Sequence, residues 1–331
     1  MKLHHIKKIK IHKILDKNIY KNTPIAVSGV SLALMSITTA WVDVGSNFFR
    51  HFGIFFTCIA IGLLLVKTIL HPKDVLAEIK HPFIGTFYPT IAMTLMVVSS
   101  YVVQYSKPFA QFIWIFAIIL HLVFDITFLF ARFKDFKFEY IVPSWYILTV
   151  GLGVGAVTGA PIGFINIAKF TFYYAFIWYL VLLPIMLYRV FKVGHISKAK
   201  ETSLMIIGAP ANICLAGYLG VFDVKSNVLI NFILLLAVLN MLYDYYILPR
   251  LLRLKFSPAL APLTFPMCIG AVTMQRYYKY LVELNSPYTD FIREVYFFQL
   301  LIATLITGYV VYKLCESFVY IVKEHLIDNE I

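Results

Sequence analysis

Ten apolar stretches follow one another along the chain, near residues 24–42, 51–69, 84–105, 109–130, 140–159, 167–190, 203–221, 227–248, 257–275 and 296–321, with short polar segments between them. Each is close to the roughly 20 residues that a helix needs to cross the hydrocarbon of a bilayer. No strand-like alternation, long linker or low-complexity tract interrupts the series, so the pattern predicts helices throughout. The stretches are not alike. Odd-numbered ones contain Gly85-Thr86-Phe87-Tyr88-Pro89-Thr90, then Pro143-Ser144-Trp145 with Val150-Gly151-Leu152-Gly153-Val154-Gly155, then Gly208-Ala209-Pro210-Ala211, then Pro262-Leu263-Thr264-Phe265-Pro266. The first fits less tightly, with Pro24 at its mouth and Gly29 inside. Even-numbered stretches are mostly unbroken: 109–130 and 227–248 contain neither glycine nor proline, and Pro184 is the exception in 167–190.

Lipid tolerates interrupted backbone only where protein or a water-filled cavity satisfies the freed groups. The odd stretches are therefore expected to form an inner ring around a pathway, kinked at Pro89, Pro143, Pro210, Pro262, Pro266, Gly151 and Gly155, and the even stretches an outer wall. For any single glycine, close helix packing through small-xxx-small spacing is an equal alternative, and Gly151 with Gly155 has that spacing.

Composition narrows the picture. Sixty per cent of the 331 residues are hydrophobic and 14% charged, which excludes an ordinary soluble domain. The expected organisation is a basic segment at 1–23, one ten-helix membrane domain at 24–321, and a short tail at 322–331. Of the 29 lysines and arginines, 22 fall in segments that share a side with the N-terminus and seven in the others. The expected location is the plasma (inner) membrane, and that asymmetry predicts both termini in the cytoplasm. It also accounts for the net charge of +12 without a nucleic-acid partner.

Candidate chemistry is sparse. Cys58, Cys214, Cys268 and Cys315 stand singly, so no metal site, cofactor or disulfide framework is expected. No hydrolytic or redox motif is present, and the chain does not read as an enzyme. The odd stretches carry no Asp, Glu, Lys or Arg in their cores, so the pathway is expected to be neutral. With no acidic ring to select cations and with helix N-terminal ends at the breaks, a preference for small anions follows. His121 and Asp125 lie four apart on one helix face and are the candidate proton relay. A structural pair fixing an even helix is the stronger reading of them. Asp244, beside Tyr243, Tyr245 and Tyr246, is expected to anchor its helix at the headgroups. Phe265, fixed next to Pro266, could plug a narrow pore, although from the residues alone ordinary packing is the stronger reading.

The residues His81-Pro82 with Gly85 to Thr90, Pro143-Ser144-Trp145 leading to Val150-Gly151 and Val154-Gly155-Ala156, Ala209-Pro210-Ala211 with Leu215-Ala216-Gly217-Tyr218, and Thr264-Phe265-Pro266 resemble, in order and spacing, the tellurite-resistance/dicarboxylate transporter family, which includes the plant slow anion channels. The resemblance covers 24–321. It implies an all-α integral membrane protein with ten transmembrane helices as five hairpins around a central pore, odd-numbered helices lining it, and a homotrimer in lipid. It also implies an anion channel or transporter for small anions or C4-dicarboxylates whose gate is Phe265, with Phe87 a second aromatic at the constriction. A proton-coupled malate carrier is the alternative it leaves open.

Overall fold

A computed structural model describes residues 20–42, 44–45, 48–194 and 196–327. The expected basic segment at 1–23 therefore falls largely outside the described residues, whereas the expected tail at 322–331 is described as far as 327, where it is helical. Every regular element described is helical, and each apolar stretch becomes helix.

The odd and even stretches are built differently. The even ones form long helices: α2 (Phe48–Leu70), α5 (Lys107–Lys134), α8 (Ile165–Leu187, continued by a π-helical Tyr188–Val193), α10 (Asn227–Leu251) and α12 (Thr289–Ile327). The first odd stretch is α1 (Ala26–Val42). The others change helix type on the way. A 3-10 turn Ile84–Phe87 leads into α4 (Pro89–Val102), and a 3-10 stretch Lys198–Gly208 leads into α9 (Ala209–Val221). Likewise Pro258–Leu263 leads into α11 (Phe265–Glu283), and α6 (Trp145–Thr149) passes through a 3-10 turn Gly151–Gly153 into α7 (Val154–Ile162).

Proline explains where the change falls. It lacks an N–H and has its φ fixed near the helical value, so it is favoured in a first turn, where no donor is needed. Pro89, Pro210 and Pro266 all occupy the first two positions of an α segment. Pro262 lies inside the 3-10 stretch, and Pro143 precedes α6. These residues thus mark junctions between helical segments rather than kinks within one helix. Gly151 opens the 3-10 turn in the fifth stretch. Gly155 is a packing glycine: a Cβ there would stand 2.9 Å from Thr171 Oγ1 of α8.

A short amphipathic helix, α3 (Pro72–Lys80), precedes the third stretch and is bent by 100° from it. Gly85 makes the bend compact, because a Cβ would collide with the Ile79 carbonyl. Six helices are long and apolar enough to cross a membrane, or seven if the bent pair counts as one. The shortfall against ten lies in the odd stretches, which are short, split or more polar. They are also sheltered from lipid: 78% of the apolar window in Lys198–Val221 is buried, against 28–39% in the five long helices.

Consecutive helices pack together as α1 on α2, α4 on α5, α7 on α8, α9 on α10 and α11 on α12. A second set of contacts runs α1 to α4, α4 to α7, α7 to α9, α9 to α11, and α11 back to α1. The small residues of the odd stretches permit this close approach without an apolar driving force between helices.

Candidate functional site

Over long runs of the first, fifth and ninth stretches all residues but one are buried, so the exceptions stand out. Within 28–38 the exception is Gly29, within 141–159 it is Ile147, and within 260–275 it is Phe265. All three line the same internal cavity. Its wall comes from every odd stretch: Gly29 and Leu32, Phe87 and Met93, Tyr146 and Gly151, Ile206 and Ile213, Ala261 and Phe265 among them. None of the even-numbered apolar stretches contributes. The cavity measures about 40 Å³, enough for no more than a few waters.

Two larger cavities adjoin it. One, of about 220 Å³, is lined by Ser36, Thr39, Arg50, Ser100, Thr158 and Arg276 among others, and it shares Phe265 with the middle cavity. The other, of about 380 Å³, includes Lys21, Lys67, Glu78 and Phe83, and it shares Phe87 with the middle cavity, along with Ile25 and Pro262. Phe265 therefore lines both the middle and the arginine cavities. Phe87 stands between the middle and lysine cavities, packed edge-to-face on Phe83 with ring centroids 5.2 Å apart.

The arginine cavity is charged, whereas the pathway read from the odd stretches was expected to be neutral. α11 continues to Glu283, past the predicted end of its apolar stretch, so Arg276 lies inside the protein rather than in a loop. Phe265, Ile269, Val272 and Arg276 recur at helical spacing and all face this cavity. That periodicity was the signal available in the sequence. Arg276 donates through Nη1 to the Ala216 carbonyl and through Nη2 to the Val157 carbonyl, each at 2.5 Å. Arg50 donates to the Ser100 carbonyl at 3.1 Å and lies 5.1 Å over the Tyr101 ring.

At the opposite end the buried Lys67 ammonium donates to both Glu78 oxygens, at 2.8 and 2.9 Å, and to the Thr23 carbonyl at 2.9 Å. Tyr88 donates to the same carboxylate at 2.7 Å. Next to this cluster, His81 Nδ1 accepts from the N–H groups of Phe83 and Ile84, at 3.2 and 3.1 Å. Burial first, then the charges of Lys200 and Arg132, hold His81 below its usual pKa, with Glu78 opposing them. A neutral imidazole is what the two N–H groups require.

His121 and Asp125 are brought together, with Nε2 3.6 Å from Oδ2, and both are buried. The closer contact of His121 Nε2 is the Leu148 carbonyl at 2.7 Å, just before the 3-10 break in the fifth stretch. Tyr174 of α8 reaches Asp125 at 3.5 Å. Neither residue lines any of the three cavities. Asp244, expected to anchor its helix at the headgroups, is buried, and its carboxylate accepts from the backbone of Gly208, at the junction where α9 begins. Glycine is required there because a Cβ would overlap that carboxylate. Among the described residues no group of three or more His, Cys, Asp or Glu side chains could hold a metal ion.

A sequence model of the family described as voltage-dependent anion channel matches residues 21–314. The chain belongs to that family. Two uncharacterized transporters of Methanocaldococcus jannaschii are similar to it. One is 28% identical over 153 residues, covering 42% of this chain and 45% of the relative. The second is 27% identical over 173 residues, covering 48% and 50%. The chain thus spans about half the length of the curated relatives it matches. In this member of the voltage-dependent anion channel family, the match runs across all three cavities, from Lys21 at one end to Arg276 at the other.

Proposed function

We propose that this multi-pass membrane protein is an anion channel or transporter whose pathway runs through the three cavities, with Phe265 as its gate and Phe87 as a second aromatic wall. The observation that carries the reading is Phe265 itself. It is the one incompletely buried residue between Leu260 and Gln275, and it lines both the middle and the arginine cavities. An apolar ring across a space holding only a few waters is a barrier to a hydrated ion, and hydrophobic constrictions gate in this way. In this reading ten helices cross the membrane as five hairpins, the odd ones line the pore, both termini are cytoplasmic, the membrane is the plasma (inner) membrane, and the protomers assemble as a homotrimer. The hairpins and the inner ring draw support from the packing of consecutive helices and from the contacts of α1, α4, α7, α9 and α11 that close on one another.

Small anions are the favoured substrates, and C4-dicarboxylates the next class. The arginine cavity holds two cations and no acidic side chain, which supports anions over cations. A proton-coupled dicarboxylate carrier needs a titrating group on the path, and His121 with Asp125 lies off the three cavities; that favours a channel. Bilayer recordings in asymmetric chloride, nitrate and malate test the proposal. Steady unitary currents reversing near the anion equilibrium potential are expected. Uptake that follows an imposed pH gradient without unitary currents would contradict the channel reading.

A further inference from the structure

Resting on the reading that this path carries anions, we propose that the arginine cavity is a saturable binding site for one small planar oxyanion, such as a carboxylate or nitrate, held by the Arg50 and Arg276 guanidinium groups. Both groups stay protonated in proteins, so the cavity carries two fixed positive charges. Neither forms an ion pair with a carboxylate among the described residues, and no acidic side chain lines the cavity. All the contacts that hold them in place are neutral. Arg276 is tied to α9 and α7 through the Ala216 and Val157 carbonyls, and Gly220 leaves the space it occupies. Arg50 is tied to the Ser100 carbonyl, while its buried Nε has no acceptor. Two positive charges without a counter-charge, in a protein surrounded by lipid, mark a site whose counter-ion is its ligand.

The other polar groups point to the class of anion. Ser36, Thr39, Ser100 and Thr158 each donate a hydroxyl proton back to a carbonyl of their own helix, at 2.7–2.9 Å. Guanidinium N–H groups are therefore the donors left for a ligand. Their planar fork matches two oxygens of one planar acceptor better than it matches a spherical halide. A space of about 220 Å³ admits such an anion together with several waters.

The test titrates the full-length protein in nanodiscs with sodium formate and with sodium chloride, reading thermal stabilisation and tryptophan fluorescence. Trp114 is a built-in reporter, since its indole N–H donates to Thr158 on the cavity wall at 2.9 Å. Formate is expected to saturate and to bind more tightly than chloride. Arg276→Gln should weaken formate about tenfold, the loss of a charge-assisted bidentate contact. Arg276→Lys should keep chloride binding while losing the formate preference. Arg50→Gln, at a less buried position, decides the matter if Arg276→Gln fails to fold, and should also weaken formate. Arg293→Gln, on an exposed arginine that does not line the cavity, should leave both titrations unchanged. The site is overturned if formate never saturates, or if both glutamine variants that fold bind it as wild type does. Anion currents with unaltered formate titrations would remove the site and leave the pathway standing. Formate binding lost in the variants, with no current in wild type, would remove the pathway and leave the site.

Discussion

The long helices and the broken segments divide the work of building a polar interior inside lipid. α5, α10 and α12 run unbroken, yet they carry the side chains that attend to the breaks of their neighbours. His121 of α5 meets the Leu148 carbonyl at the fifth stretch, and Arg132 of the same helix donates to the Lys80 carbonyl at the bend before the third, at 2.6 Å. Asp244 of α10 takes the backbone of Gly208 where α9 begins. Gln299 of α12 reaches the Met267 carbonyl just inside α11, at 3.4 Å. Broken backbone survives at membrane depth only when such partners exist. The comparison teaches that His121, Arg132 and Asp244 brace breaks in the odd stretches, whereas Arg50 and Lys67 of α2 line cavities. The charges that face a cavity lie at its ends.

If that division is right, glycines in the two sets should differ most. Gly85→Ala places a Cβ against the Ile79 backbone carbonyl, which has no flexible end to yield. It is expected to cost about 3 kcal/mol or more, or to abolish folding, as overpacking against fixed backbone does. Gly62→Ala on α2 meets nothing within 4 Å and should be neutral or stabilising by about 0.5–1 kcal/mol from helix propensity. Thermal unfolding of both in nanodiscs checks the contrast, and equal effects would break it.

A smaller effect is expected at the braces. His121→Leu leaves the Leu148 carbonyl without its side-chain donor and should cost about 1–3 kcal/mol. His121→Gln, which retains an N–H, should lose less. Anion flux through either folded variant should keep the wild-type dependence on pH. A flux that loses its pH dependence would instead restore the proton-relay reading.

The smallest effect belongs to His81, at the edge of the membrane. Its folded pKa is depressed, so its contribution to stability is fully present above the ordinary value of 6.5. As pH falls below that, the unfolded chain takes up a proton that the folded one resists, and the contribution is lost as pH passes through the lower folded value. Solvent screens this partly exposed group, so the slope is shallow. Comparing stability at pH 7.5 and 5 in wild type and His81→Gln should show a modestly smaller loss in the variant.

Much of the fold was legible because long apolar runs are a strong signal: the stretch read at 109–130 becomes α5 at Lys107–Lys134, and 227–248 becomes α10 at Asn227–Leu251. The Pro and Gly pattern of the odd stretches was also visible, but not what it does. A proline that opens an α segment and one that kinks a continuous helix look alike in a hydropathy pattern, and the 3-10 runs before Pro89 and Ala209 contain no proline to mark them. Arg276 was missed because a window average ends a span at its first charge, although the i, i+4, i+7, i+11 series from Phe265 continues through it. Asp244 was read from its tyrosine neighbours in sequence, whereas its position is set by Gly208 on another helix.

The central claim is that the Phe265 ring is the wall between the middle and arginine cavities. Single-channel conductance of Phe265→Ala, set beside wild type and Ile147→Ala in the same bilayers, tests it most directly. Removing the ring joins the two cavities and should raise anion conductance about tenfold or more, as opening a hydrophobic constriction does. Ile147→Ala enlarges the middle cavity, leaves the wall standing and should change conductance by less than about twofold. A Phe265→Ala protein that inserts and folds, yet conducts as wild type does, would contradict the account.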